Sequence, residues 1–236
     1  MLNTIIFDAY GTLISTGTGS IDASREILAL NCCDSVDPQA FYSQWKSLHK
    51  KHISELTTFV SEESIFRKDL NVLYKKYGFS RDSDADVKIM LTKLGNRTAF
   101  PESREVIHFL QSKQYNVVIG SVTDTKPLLS DLDRNGITIP SVFTSETTGF
   151  YKPDIRFYQY ILDSLGIKPS NALFVGDSLI DDVWGPQQLG IAACWVNRKG
   201  ASAPDAESRP DLPHPDHLRP AGRHHPDTGL PTAHHR

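Results

Sequence analysis

The chain has 236 residues and a net charge of −3, with 25 Lys and Arg against 28 Asp and Glu. So even a balance gives no electrostatic signature of a nucleic-acid or membrane-surface partner, and no stretch reaches the ~18 consecutive apolar residues of a membrane span. Three cysteines, two of them adjacent (Cys32 and Cys33, with Cys194), make no disulfide framework, and no signal-peptide pattern opens the chain, so a cytoplasmic setting is expected.

The first element is a short apolar run, Ile5 to Phe7, followed at once by Asp8-Ala9-Tyr10-Gly11-Thr12-Leu13. A run this short and wholly apolar reads as a buried strand of a parallel sheet. Gly11 then turns the chain, leaving Asp8 at the strand's C-terminal end, where open α/β sheets bind ligands. A carboxylate there can serve as metal ligand, nucleophile or helix cap. Residues 14 to 20 read as a flexible polar connector. From 21 to 96 the spacing is helical: Phe41, Trp45 and Leu48 recur on one face, then Phe66, Leu70, Leu73, Tyr74 and Tyr77, then Val87, Met90, Leu91 and Leu94. About four helices are expected, with Gly78 and Gly95 near helix ends.

Beyond Phe100-Pro101-Glu102 the pattern alternates. A helix is expected over 102–113, a strand over 116–121 ending at Ser121, a helix over 125–135, and a short strand over 142–144. Tyr151-Lys152-Pro153-Asp154 leads into a helix over 154–165 that Gly166 ends. A fourth strand, 172–176, runs into Gly176-Asp177-Ser178. A helix over 182–189 and a last strand over 191–196 complete the series. Strands alternating with helices imply right-handed crossovers and a parallel, three-layer α/β sheet. From Ala203 onward there are seven prolines and six of the nine histidines, a composition that cannot bury enough surface to order itself. The segment 201–236 is therefore expected to be disordered.

Four segments, taken in order, resemble the motifs of the haloacid dehalogenase-like (HAD) hydrolases: Asp8 after strand one, Ser121 after strand two, Lys152, and Gly176-Asp177-Ser178 with Asp181-Asp182. The resemblance spans roughly residues 4 to 197. It implies a Rossmann-like sheet of order 3-2-1-4-5, a core of residues 1–15 and 98–200, and a helical cap of residues 16–97 inserted after the first motif. The family's final strand and helix have no counterpart in the tail, as a shifted reading frame would leave it.

The resemblance also implies roles. Asp8 would be the nucleophile, attacking phosphorus or carbon to give a covalent intermediate. Mg²⁺, a hard cation suited to a few carboxylates, would be held by Asp8, the Tyr10 carbonyl, Asp177 and Asp182, with Asp181 the alternate to Asp182. Ser121 and Lys152 would bind and neutralise the transferring group. Thr12 would order the turn, and the backbone around Ala9 and Tyr10 would cradle oxyanions. Tyr10 stands where phosphatases of this family carry a second Asp, the general acid and base. The same Asp-x-Tyr-Gly-Thr-Leu run occurs in 2-haloacid dehalogenases, which use no metal. Those enzymes carry Ser-Asn after strand two and Ser-x-Asn in the fourth motif, where this chain has Ser121-Val122 and Gly176-Asp177-Ser178. The expectation is thus a Mg²⁺-dependent phosphatase of a small phosphorylated metabolite, acting as monomer or homodimer. The alternatives are a metal-independent dehalogenase and a phosphate-binding regulatory protein of low turnover. Lys46, His49, Lys50 and Arg67 are candidates to face substrate from the cap.

Overall fold

The computed structural model describes residues 1–202; the tail from Ala203, expected to be disordered, lies outside them. Five parallel strands form one sheet: β1 (Thr4–Phe7), β2 (Asn116–Ser121), β3 (Ser141–Thr144), β4 (Ala172–Gly176) and β5 (Ala192–Trp195). Their order is β3-β2-β1-β4-β5. Phe7 lies opposite Ile119 of β2 and Val175 of β4, so the residue after β1 emerges between the ends of its two neighbours.

Strand alternation explains the layers. Ile5, Phe7, Val117, Ile119 and Val175 face one side, where they pack with Ile107, Leu128 and Leu132. These last three come from helices α5 (Ser103–Ser112) and α6 (Thr125–Arg134). Ile6, Val118, Ala172 and Phe174 face the other side, against Phe157, Tyr158, Ile161 and Leu162 of α7 (Ile155–Leu165). Each strand is therefore apolar at successive positions because both of its faces are buried.

Between β1 and α5 the chain forms four helices: α1 (Gly19–Leu30), α2 (Pro38–Ser54), α3 (Glu62–Tyr77) and α4 (Ser83–Leu94). They enclose their own apolar cluster, with Ile27, Phe41, Trp45, Leu70, Leu73, Val87 and Met90 at its centre. Local chemistry sets the ends. Asp37 accepts a bond from the Ala40 N–H at 2.8 Å and Pro38 opens α2, while Gly78 closes α3 in the left-handed conformation with φ 70°.

Two segments differ from expectation. Ile14, assigned to a flexible connector, is fully buried. It bridges Tyr10 and Ala99, and Ser15 N–H bonds the Thr98 carbonyl at 2.8 Å, so outgoing and returning chain run side by side. The helix expected over 182–189 begins earlier, as a wide helical turn over Leu179–Trp184, with a short α segment over Gly185–Gln187. Ser178 is the cause: its hydroxyl accepts from Asp181 N–H at 3.2 Å and its own N–H donates to Asp182 Oδ2 at 2.9 Å, which starts the turn at once.

Trp45 tests the packing of the bundle. It is 1% exposed, yet its Nε1–H has no hydrogen-bond partner among the described residues. An unsatisfied buried donor costs about 1–3 kcal/mol. Trp45→Ala is expected to lose about 3–5 kcal/mol by cavity formation. Trp45→Phe, which removes the orphan N–H and keeps a ring, should lose under about 1.5 kcal/mol in the same urea titrations. Equal losses would show that the N–H is satisfied.

Candidate active site

Asp8 leaves the end of β1 as a buried residue, 6% exposed. One oxygen, Oδ1, accepts from Lys152 Nζ at 2.8 Å and the other, Oδ2, from the Thr12 hydroxyl at 3.3 Å. Ala9 is fully buried, and its carbonyl accepts from both Leu13 and Ile14 N–H, closing the turn. Gly11 has φ 96°, and a Cβ there would lie 2.5 Å from Asp177 Oδ2, so only glycine lets the turn and the Asp177 carboxylate coexist. Gly176 is as constrained: a Cβ would collide with the Asp182 side chain.

Lys152 is buried and donates three times: to Asp8 Oδ1, to the Gly120 carbonyl at 3.1 Å, and to Asp182 Oδ1 at 2.6 Å. Asp182, rather than Asp181, joins this cluster; Asp181 turns to the Ser178 hydroxyl at 2.9 Å. Oxygens of Asp8, Asp177 and Asp182 lie within 4.8 Å of one another. Among the described residues Lys152 is the one buried ammonium against these three carboxylates, a deficit that a divalent cation would fill. Hard oxygen donors at this separation suit Mg²⁺ in type and number. Ser121 ends β2, beside β1, and is 1% exposed.

The charges respond accordingly. Burial pushes the Asp8 carboxyl up to about 7; Lys152 pulls it down and Asp182 pushes it further up. Burial would lower Lys152, but the Asp182 and Asp8 carboxylates on either side raise it above the usual lysine value. Asp177 is raised by burial and by Asp182.

Tyr10 points elsewhere. Its hydroxyl donates to Asp131 Oδ2 of α6 at 2.7 Å, and the Arg97 guanidinium lies 4.0 Å from the ring centroid. Burial pushes its pKa far above the usual phenol value; Arg97 opposes this and Asp131 adds to it. Asp131 is also bound by Arg134. Neither Asp131 nor Arg97 carries a local sequence signal, since each meets Tyr10 only through the fold.

A cleft of about 700 Å³ opens beside the cluster, lined by Tyr10, Gly11, Lys46, Asp177, Trp195 and Lys199 among others. Of the four bundle residues considered for substrate contact, Lys46 lines this cleft, and Lys50 is near enough for its charge to oppose slightly the rise that burial causes in Asp181. His49 is held inside the bundle by Asp69 at 2.8 Å, and Arg67 pairs on the surface with Glu63 and Asp84.

The shifted Asp8 carboxyl has a measurable consequence for stability. A carboxyl whose pKa rises on folding from 3.8 to about 7 binds more protons folded than unfolded within that window. In the absence of a cation, stability therefore falls as pH rises through it. Asp8→Asn keeps the shape and removes the charge. It is expected to raise Tm at pH 8 in cation-free buffer, and to raise it less near pH 5, where only part of the window has been crossed. A lower Tm at pH 8 would mean that the Lys152–Asp8 pair outweighs the burial of charge.

Comparison with known proteins bears on these observations. Residues 2–190 match the haloacid dehalogenase-like hydrolase family. The chain is 25% identical to (S)-2-haloacid dehalogenase 4A of Burkholderia cepacia, covering 89% of this chain and 88% of that one. It is 28% identical to the glyceraldehyde 3-phosphate phosphatase of Methanothermobacter thermautotrophicus, covering 84% and 86%. The magnesium-bound HAD-hydrolase YfnB of Bacillus subtilis superposes with a TM-score of 0.72 at 21% identity, over 86% of this chain and 92% of that one. With its matching sheet order, the chain belongs to the haloacid dehalogenase-like hydrolases.

Proposed function

We propose that this hydrolase is a Mg²⁺-dependent phosphatase of small phosphorylated metabolites, with Asp8 as nucleophile. The observation that carries the reading is the cluster of Asp8, Asp177 and Asp182 with its charge deficit. Dehalogenation of a carboxylate substrate gains nothing from two further carboxylates, Asp177 and Asp182, beside the nucleophile. A phosphate dianion facing them gains from a shared cation, which would screen charge and orient the phosphoryl oxygens. The phosphatase relative and the magnesium-bound structural neighbour support the same choice.

In this reading Asp8, Asp177, Asp182 and the Tyr10 carbonyl hold the cation. An Asp8 oxygen attacks phosphorus as the bond to the leaving oxygen breaks, giving an acyl phosphate on Asp8. Thr12 and Lys152 fix the carboxylate for that attack. Lys152, its three donors already engaged, neutralises charge at the site, and the Ser121 hydroxyl binds the phosphoryl oxygens with backbone N–H groups around Ala9 and Tyr10. Water then attacks the acyl phosphate, releasing phosphate and restoring Asp8. Lys46 and Lys199 at the cleft make it receptive to an anionic small molecule. The bundle serves as a cap that excludes bulk water.

Tyr10 favours the dehalogenase as second reading, together with the dehalogenase relative; a third is a phosphate-binding protein of low turnover. Chemistry separates them. Hydrolysis of an aryl phosphate that requires Mg²⁺, stops with chelator, and drops by several orders of magnitude in Asp8→Asn supports the phosphatase. Asp177→Ala should sharply weaken the response to metal. Release of halide from an L-2-haloacid without metal would overturn it in favour of the second reading.

The placement of Tyr10 gives a further expectation. A positioned general acid supplies roughly 10²–10⁴-fold, and the Tyr10 proton is committed to Asp131. Aryl and acyl phosphates, whose leaving groups depart unprotonated, should therefore be cleaved much faster than alkyl phosphates. Tyr10→Phe should keep the aryl phosphate kcat within about threefold, yet lose about 1–3 kcal/mol of stability by stripping a donor from buried Asp131. A collapse of kcat in Tyr10→Phe would restore the hydroxyl to the chemistry.

A further inference from the structure

One short segment of the bundle touches the chain next to both Ser121 and Lys152. Asp124 occupies the position before α6, but its carboxylate does not cap that helix. It reaches across to the first turn of α3, where Oδ1 accepts from Glu62 N–H at 2.9 Å and Oδ2 from Glu63 N–H at 3.2 Å. A carboxylate there satisfies two otherwise unbonded donors and lies at the positive end of the helix dipole. Glu62 returns the contact: its Oε2 accepts from the Thr123 hydroxyl at 3.0 Å. Thr123 is 2% exposed and lies two residues after Ser121.

The other end of the segment holds the second loop. Phe59 stacks on Tyr151 with ring centroids 5.9 Å apart and planes at 20°. The Tyr151 hydroxyl donates to the Val60 carbonyl at 3.0 Å. Tyr151 directly precedes Lys152 in the chain. Residues 59–63 thus tie together two loops of the core that are distant in sequence, and the rigid helix α3 backs them.

We propose that residues 59–63 form a positioning strap, in which Glu62 and Phe59 act through Thr123, Asp124 and Tyr151 to hold Ser121 and Lys152 in register with Asp8. Neither Glu62 nor Phe59 meets the reacting atoms; they are positioning residues. Lys152 reaches two carboxylates and a carbonyl with bonds of 2.6 to 3.1 Å, a geometry that a backbone shift of about 0.5 Å would spoil. The strap supplies that precision from the bundle side, so a correctly docked bundle is part of the catalytic geometry. The effect on turnover rests on the roles proposed above for Ser121 and Lys152; the coupling between the two loops does not.

The test uses the full chain and three variants, Glu62→Ala, Glu62→Gln and Tyr151→Phe, followed by amide hydrogen exchange and by kinetics. In Glu62→Ala, exchange should rise about tenfold at residues 121–124 and also at 150–152, whose direct contacts to the strap are made by Phe59 and Val60. Glu62→Gln keeps an acceptor for the Thr123 hydroxyl and should restore both regions. Tyr151→Phe, a milder change that preserves the ring stack, should loosen 121–124 from the opposite end. With whichever substrate the enzyme turns over, kcat should fall at least about tenfold in Glu62→Ala while KM moves less than about threefold. Exchange that rises only at 121–124, a Glu62→Gln no better than Glu62→Ala, or an unchanged kcat would each overturn the strap. If wild-type protein cleaves neither phosphate nor haloacid, the reading of the reaction fails, and the exchange data alone decide the coupling.

Discussion

The site depends on one buried ammonium. Lys152 stands between Asp8 and Asp182 with almost no solvent contact. Without it, two carboxylates would share a low-dielectric space where like charges repel strongly. A buried cation so placed contributes little net stability once its own desolvation is counted. What it secures is arrangement: it draws the end of β1, the end of β2 through the Gly120 carbonyl, and the turn after β4 onto one point. Burial is the main cause of the raised Asp8 carboxyl; the physical case for a metal is the geometry, three carboxylates with oxygens within 4.8 Å of one another.

The sheet makes this convergence possible. Register pairs Phe7, the last residue of β1, with both Ile119 and Val175, so β2 runs two residues and β4 one residue past it and their ends flank Asp8. Glycines at 11 and 176 then allow acidic side chains to occupy space that any Cβ would fill. Crowding of carboxylates is thus built from backbone geometry, and it is maintained against repulsion by packing on both faces of the sheet.

Much of this was legible in the sequence, for reasons of range. Apolar runs at 5–7, 117–119 and 173–175 report two-sided burial directly, and the four helices between residues 21 and 96 follow from apolar spacing. The Asp8, Lys152 and Asp182 positions came from ordered motifs, and the structure brings them together. What stayed hidden was long-range or dual-purpose. Asp124 looks like an ordinary cap for α6, yet it caps α3, while Glu146 serves the Thr125 N–H at 2.8 Å. Tyr10 and Asp131 lie far apart in the chain, so no window contains both. Ile14 sits among Ser, Thr and Gly, and composition outvoted a single apolar residue that the crossing between core and bundle buries completely.

That crossing has a consequence for how such a molecule can be rebuilt. The two ends of the inserted bundle leave the core paired to each other, Ile14 against Ala99 and Leu13 carbonyl to Phe100 N–H at 3.0 Å. Whatever is spliced between them closes a loop whose mouth is already shut, and the entropy of closing such a loop grows only slowly with its length. The closure is therefore nearly indifferent to the length of the insertion. A foreign module could be exchanged at this doorway. What it would need to bring along is a helix start that fits Asp124.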